Sequence, residues 1–294
     1  MQTKLYTPYF FLAPALITLL IFFFLPIGAA LFMSFTDFDI YSLGKLSWAR
    51  FIFFRNYAML LSDPLFWKAL VNTSYFVLVG GPLTIFTALT AAILLNSKFL
   101  KLRSLFRLAF FMPVATTLVA VAVVWRYLYH PAFGPINYLL SILRMTPIDW
   151  LGDPKWAMPS LIILAVWKNF GYNMMIFLAG LQAIPDSLYE SARLDGANWF
   201  QQQIHITLPQ LAPTTFFVVI ITIIGYFQFF AEPYVMTQGG PVNATLSIVL
   251  YLYQQGFRWW QMGYAAAIAF VLFILIFIVA MMQMFLRRRQ EARA

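Results

Sequence analysis

Six long apolar runs constrain the fold of this chain more than any other feature of its sequence. They lie at about 9–35, 70–95, 108–129, 156–183, 208–230 and 262–286. About 20 predominantly apolar residues cross a bilayer as a helix, whereas an open strand in lipid would leave backbone groups without partners. The sequence therefore predicts an all-α, polytopic membrane protein with six transmembrane helices in a single domain over residues 1–294.

The composition excludes a soluble globular protein. Hydrophobic residues make up 62% of the chain and charged residues 10%, whereas soluble domains are about 45–50% apolar and about 25% charged. The net charge of +9 does not indicate nucleic-acid binding, because the basic residues cluster at the ends of the apolar runs, as membrane topology requires. The absence of cysteine excludes disulfides, a thiol nucleophile and a cysteine-based metal site.

The distribution of lysine and arginine predicts the orientation of the spans. Basic residues concentrate in cytoplasmic loops, and the stretches 96–107 and 286–294 are rich in them, with Lys98 and Arg103 among those of the first. Both stretches are predicted to be cytoplasmic, and six spans then place both termini in the cytoplasm. The loop at 231–261 is predicted to lie outside. The first run is interpreted as a retained span, because it is longer than the apolar region of a signal peptide.

The predicted cytoplasmic loop at 184–208 is unusually acidic. It carries Asp186, Glu190 and Asp195 against a single arginine, Arg193. Helices that lie on anionic lipid are usually basic on their polar face, so the charge favours a surface that docks on a protein partner. An amphipathic helix at the lipid interface is the alternative.

Local signals predict two short helices within this loop. Pro185 suits a helix start, and Gly196 suits the left-handed residue at a helix end. Asn198 is a suitable N-cap for the second helix. Glu190 and Arg193 are three residues apart and are expected to pair.

The loop resembles the EAA loop of ABC importer permeases. Its pattern consists of Glu190-Ser191-Ala192, Asp195-Gly196-Ala197, Ile206 and Leu208-Pro209. The spacing matches the family throughout, with Ser191 in place of the usual alanine. The stretches at 55–73, 110–140, 167–185 and 232–245 are similar to carbohydrate-uptake permeases of the maltose and glycerol-3-phosphate type. The residues that the resemblance assigns to ATPase coupling are Glu190, Ser191, Ala192, Asp195, Gly196, Ala197, Ile206, Leu208 and Pro209.

The resemblance also implies a type I ABC importer bundle in a bacterial or archaeal inner membrane. The implied partners are a second, homologous permease, two ATPase subunits that bind ATP and Mg²⁺, and an extracytoplasmic solute-binding protein. No cofactor is expected in this chain. The expected cargo is a neutral sugar, with glycerol-3-phosphate or another polyol phosphate as the alternative. A phosphate would require a cationic cavity, for which Arg126 and Lys168 are the candidates. Lys168 is expected to snorkel at the outer end of its run.

The chain lacks the sequence signature of an ATPase. Its nearest glycine-lysine pair, Gly44-Lys45, has neither the upstream glycine nor the following Ser/Thr of a phosphate-binding loop. No catalytic residue and no metal site are predicted. An ion-driven secondary transporter is the rival class, since such proteins use intramembrane acids and paired helix breaks. The predicted spans contain no acid well inside, and only the second run is predicted to be interrupted, at 80–82. A structural or assembly subunit is a third class.

Polar residues in the fourth and fifth runs form a candidate substrate path. Asn169, Tyr172 and Asn173 share one helical face, and Thr222 and Tyr226 share another. Precisely placed amide, hydroxyl and aromatic groups suit a small-molecule site and the hydroxyls of a sugar. The alternative is that these side chains form hydrogen bonds between helices of the bundle.

Overall fold

The computed structural model describes residues 7–43, 49–97 and 101–291. Within these ranges the chain is helical, and its only β-type pairing is an isolated antiparallel bridge between Thr36 and Phe51. Lys98, which contributes to the predicted orientation, and the Gly44-Lys45 pair lie outside the described residues. The predicted all-α class is confirmed.

The described part of the chain contains five helices long and apolar enough to cross a membrane, and a bent pair of helices that counts as a sixth span when the two are taken together. Numbered in chain order, the spans are Phe11–Ser34, Pro64–Asn96, the pair Arg103–Ala115 and Leu118–Leu128, Pro154–Gln182, Ala212–Met236, and Met262–Arg288. Shorter helices in the connections are Arg55–Ser62, Pro135–Ile142, Asp186–Leu194, Trp199–Gln202 and Ile248–Tyr253. The prediction of six spans is confirmed, while three of their details differ.

The third span is broken, contrary to the continuous helix predicted over 108–129. Its two helices meet at an angle of 101°, because Thr116 and Thr117 adopt extended backbone conformations with ψ of 150° and 138°. The Thr116 hydroxyl donates to the carbonyl of Pro113 at 2.7 Å and closes the end of the first helix. Hydropathy does not reveal this break, since the residues on both sides are apolar.

The second span is continuous, so the predicted interruption at 80–82 is wrong. The helix Pro64–Asn96 runs through Pro82 without ending, and membrane helices tolerate an internal proline. The adjacent glycine serves helix packing: a Cβ on Gly80 would lie 3.1 Å from the Tyr226 ring. Small residues of this kind let neighbouring helices approach closely.

The fifth span extends beyond the predicted end at residue 230. It includes the short helix Ala231–Met236, so the predicted external loop begins later than 231. Hydropathy assigns Glu232 to that loop, because an acid normally ends a predicted membrane span.

Contacts divide the chain into two units. The first consists of Met1–Trp67 with Tyr251–Leu275, and the second of Lys68–Leu250 with Ile276–Ala294. In the first unit, the Asn56 amide donates to the carbonyls of Ser34 and Thr36, both at 2.8 Å. The prediction of a single domain over 1–294 stays a prediction.

The core of the second unit lies around the fourth span. This span packs against both halves of the third span and against the fifth. The buried cluster at its cytoplasmic half, by the predicted topology, contains Ala88, Ala92, Leu95, Met174, Phe177, Leu178, Leu181, Ile184, Leu211 and Val218. This core positions both the candidate cavity and the acidic loop.

Candidate functional site

A cavity in the second unit brings the predicted path residues together. Its volume is about 440 Å³. Asn169, Tyr172 and Asn173 of the fourth span and Thr222 and Tyr226 of the fifth all line it. The structure thus places the five side chains at one site, and their contact with a cargo stays a prediction.

Hydrogen bonds between helices hold part of this cavity wall. The Asn173 amide donates to the Thr222 hydroxyl at 2.8 Å, and the hydroxyls of Tyr226 and Thr84 share a hydrogen bond. The Tyr226 ring also packs against Phe76, with the centroids 5.0 Å apart. These residues therefore do form the hydrogen bonds between helices that are the alternative to a role in the substrate path. Amides and hydroxyls have further donor and acceptor capacity, so these groups can bond to a ligand in the cavity as well as to each other.

The remaining two predicted path residues are more open. Tyr172 is 50% exposed and lines the cavity. The Asn169 amide donates to the carbonyl of Ala165, one turn earlier, at 2.9 Å. Together they provide an aromatic face and an amide that are suited to binding a polyhydroxylated molecule.

Glu232 also lines the cavity, and sequence reasoning does not identify it as a site residue. Its side chain is only 4% exposed, and its Oε2 atom has no hydrogen-bond partner. The sequence does contain a signal: Glu232 is the only acid between Asp195 and Glu291 and directly follows the apolar fifth run. Acids at membrane depth face protein or a water-filled cavity.

The prediction that Lys168 snorkels is wrong. The side chain is buried, and its Nζ donates to the carbonyl of Val114 at 3.1 Å. Val114 lies in the last turn before the break in the third span, where carbonyls lose their intrahelical partners. Lys168 therefore satisfies a carbonyl that the break has freed. It also interacts electrostatically with Glu232.

The acidic loop forms the two predicted helices, Asp186–Leu194 and Trp199–Gln202. Gly196 ends the first with φ +81°. The amide of Gly196 donates to Arg193 and that of Ala197 to Ala192, at 3.1 and 2.9 Å, which is the Schellman pattern. Asn198 caps the second helix in a reciprocal capping box with Gln201. The predicted end at Gly196 and the predicted cap at Asn198 are confirmed.

The outer face of the loop combines acids with large apolar side chains. Glu190, Asp195 and Ser191 are exposed. The predicted pair of Glu190 with Arg193 is not seen among the described residues, and the Arg193 Nε donates to the carbonyl of Tyr189 at 3.1 Å. The exposed large apolar side chains nearby are Leu188, Leu194 (90%), Trp199, Phe200 (70%), Ile204 and Leu208. Ala192 and Ala197 are half-buried, while Gly196 and Pro209 are exposed.

The inner face of the loop attaches to the bundle. Tyr189 and Ile206 pack against the buried cluster of the second unit, and the hydroxyls of Tyr189 and Thr207 share a hydrogen bond of 2.9 Å. Ile206, which the resemblance places among the coupling residues, therefore contacts the core of this chain rather than its outer surface. These contacts join the loop to the core around the fourth and fifth spans.

A polytopic helical chain with a cavity that several polar side chains line, and with a capped helical pair attached to its core, is typical of the membrane component of a transport system. The chain belongs to the family of binding-protein-dependent transport system inner membrane components, whose model matches residues 80–291. The resemblance to importer permeases is thereby confirmed. The family is a transporter family, and membership places the chain in an inner membrane.

Individual relatives match nearly the whole chain. It is 38% identical over 280 residues to the probable ABC transporter permease protein YurN of Bacillus subtilis (strain 168), covering 94% of each chain. It is 38% identical over 284 residues to the arabinooligosaccharides transport system permease protein AraP of the same organism, covering 96% of this chain and 88% of that one. A crystal structure of a bacterial ABC transporter involved in the import of the acidic polysaccharide alginate matches with a TM-score of 0.79 and 25% identity, covering 97% of this chain and 96% of that chain.

Proposed function

We propose that this chain is the permease subunit of an ATP-driven sugar importer and forms half of the translocation path. The observation that carries the proposal is the cavity between the fourth and fifth spans, whose wall presents the amides of Asn169 and Asn173 and the hydroxyls of Tyr172 and Thr222. Small-molecule sites are concave and have few, precisely placed polar groups of this kind. The similarity to a permease for arabinooligosaccharides supports the same cargo class.

The cargo is an uncharged mono-, di- or oligosaccharide. Among the described residues that line the cavity, Glu232 is the only charged one. Lys168 does not line the cavity, and its Nζ donates to the carbonyl of Val114. The wall therefore offers no cation to a phosphate or a carboxylate, which disfavours glycerol-3-phosphate or another polyol phosphate, the alternative cargo.

Energy comes from partner subunits. In the proposed assembly, two ATPase subunits bind ATP and Mg²⁺, a second permease completes the path, and an extracytoplasmic solute-binding protein delivers the cargo. The loop at 184–208 and both termini face the cytoplasm. The exposed side chains of Leu194, Trp199 and Phe200 beside Glu190 and Asp195 support docking on a protein, because aromatic residues are enriched at such interfaces.

An ion-gradient-driven carrier is the second candidate function. The observation in its favour is the buried Glu232, since intramembrane acids mark ion and proton paths in such carriers. Family membership weighs against it, because a binding-protein-dependent system is built from several subunits.

The test is purification of the tagged chain from its own host in mild detergent, followed by identification of the proteins that accompany it. We expect an ATPase and a second permease. The variant E190A/G196V should lose the ATPase. The matched control G28V should keep it, because Gly28 also has no atom near its Cβ position but lies on an exposed face of the first span. Recovery of the chain alone, with uptake driven by an ion gradient in vesicles, would overturn the proposal in favour of the carrier.

A further inference from the structure

One residue of the cavity wall, Glu232, has a buried oxygen atom that forms no hydrogen bond within the protein. Among the described residues, three buried side-chain atoms have no hydrogen-bond partner: Arg107 Nε, Gln203 Oε1 and Glu232 Oε2. Of these three residues, only Glu232 lines the cavity that the predicted path residues share. A buried acceptor without a partner is costly, and each case in a native protein requires an explanation.

The surroundings fix Glu232 in this position. It lies in the helix Ala231–Met236, which packs against the second half of the third span and against the fourth span. Lys168 interacts electrostatically with Glu232 from the fourth span but does not itself line the cavity. The carboxyl thus belongs to a residue of the cavity wall, interacts with a cation that does not line the cavity, and has a buried acceptor atom without a partner.

The neighbouring side chains complete a site for hydroxyl groups. Tyr172 presents a half-exposed ring, and Asn169 and Asn173 present amides in the same wall. A sugar hydroxyl that donates to the carboxyl of Glu232 would satisfy the open acceptor, and the ring of Tyr172 would pack on an apolar face of the sugar. A carboxylate or phosphate group is anionic at neutral pH, so its oxygens act mainly as acceptors and would leave the acceptor of Glu232 unsatisfied.

We propose that Glu232 binds the cargo directly, accepting a hydrogen bond at Oε2 from a hydroxyl of an uncharged, polyhydroxylated molecule. Glu232 is then a specificity-determining residue, since a site that is built to bond a hydroxyl discriminates strongly against molecules that lack it. This inference rests on the proposed function and deepens it, because it names the group that selects the cargo.

The experiment measures ATP-driven uptake by the purified, reconstituted complex of the full chain with its partners. The probe is the member of a panel of neutral mono-, di- and trisaccharides that the wild-type complex imports best. The variants are E232Q, which retains one acceptor oxygen, and E232M, which has similar length and no acceptor. We expect E232M to raise the KM for uptake about tenfold and E232Q about threefold, as expected for the loss or weakening of one hydrogen bond, while ATP hydrolysis is unchanged.

Two controls separate binding from structure. V235A alters a neighbouring residue of the same short helix that does not line the cavity, and its KM should remain at the wild-type value. A merely structural role of Glu232 would lower the yield of the complex and its ATP hydrolysis together, and that outcome overturns the inference. If E232M does not assemble, E232Q decides: a wild-type KM for E232Q overturns the inference, and a raised KM supports it.

If the proposed function itself is wrong, the uptake measurements give a different result. In that case the wild-type complex imports no member of the neutral panel with ATP, or it imports glycerol-3-phosphate instead. If the wild-type complex imports a neutral saccharide and both Glu232 variants keep its KM, only the inference about Glu232 fails.

Discussion

The amide of Asn173 donates a 2.8 Å hydrogen bond to the hydroxyl of Thr222 and joins the fourth span to the fifth at the cavity wall. Both side chains are buried. In a membrane bundle, such bonds supplement close packing, because lipid provides no hydrophobic force between helices. The same two residues thus fix the distance between the helices and present their remaining polar capacity to the cavity.

The substitution T222V is expected to weaken this contact. Valine keeps the shape of threonine but leaves the Asn173 donor without its partner, at a cost of about 1–3 kcal/mol for a buried group. Interhelical hydrogen bonds in membranes average about 0.6 kcal/mol, so we expect about 1 kcal/mol of destabilisation in thermal unfolding of the purified complex. The control is the double variant N173A/T222V. Its effect should be smaller than the sum of the single effects, and strict additivity would contradict the bond.

A close approach of two backbones predicts a larger effect at Gly171. A Cβ at this position would lie 2.0 Å from the carbonyl oxygen of Phe110, so G171A must push the first half of the third span away from the fourth. We expect a loss of about 1–3 kcal/mol, as for other overpacked sites. The matched control is G28A, where no atom lies within 4 Å of the new Cβ. That substitution should be neutral or stabilising, because alanine is the better helix former.

The extent to which the sequence predicts this structure depends on the range of the interactions. Hydropathy predicts six spans because the apolar content of each run is a local property. The ends of the loop helices at Gly196 and Asn198 are predictable for the same reason, since capping involves residues within one turn. The break at Thr116 and Thr117 is not predictable in this way, because the residues on both sides are apolar.

The candidate site is predictable only in part. The five path residues follow from helical periodicity on two adjacent spans. Their partners do not, because Thr84 and Val114 are distant in the sequence from the residues that they contact. Hydropathy places Glu232 in a loop, since an acid lowers the mean hydropathy of its window. Its burial becomes evident only when the short helix Ala231–Met236 is seen to pack on the third and fourth spans.

The left-handed backbone at Gly196 predicts that substitutions there reduce transport to different degrees. Gly196 has φ +81°, and no atom lies within 4 Å of the position that a Cβ would occupy, so a side chain there is disfavoured by the backbone and not by a clash within this chain. Asparagine tolerates left-handed backbone better than other residues, and a β-branched residue tolerates it worst. ATP-driven uptake is therefore expected to fall in the order glycine, asparagine, alanine, valine. Expression in the membrane should stay constant, and equal uptake by all four would contradict the role of backbone strain.

The Asp63 carboxyl predicts a loss of stability in acid. Burial alone would raise its pKa, but hydrogen bonds from the hydroxyls of Tyr251 and Tyr264, and from the amides of Leu65 and Phe66, outweigh burial and lower the pKa below its ordinary value. Burial, and next the bond to Asp63, raise the pKa of Tyr251 to about 12, so this hydroxyl remains a donor at any working pH. Asp63 precedes the second span and lies outside the membrane-spanning segments.

The sign of the effect follows from the direction of the Asp63 shift. A carboxyl whose pKa is lower in the folded protein than the unfolded value of about 3.9 contributes stability that is complete above that value. The contribution is lost as the pH falls through the folded pKa. Thermal unfolding of the complex between pH 7 and pH 3 should therefore show a drop below about pH 4 that is smaller in D63N. Y251F removes one donor and moves the folded pKa of Asp63 towards the unfolded value, so the drop should also be smaller in this variant than in the wild type. An unchanged profile in both variants would contradict the role of Asp63.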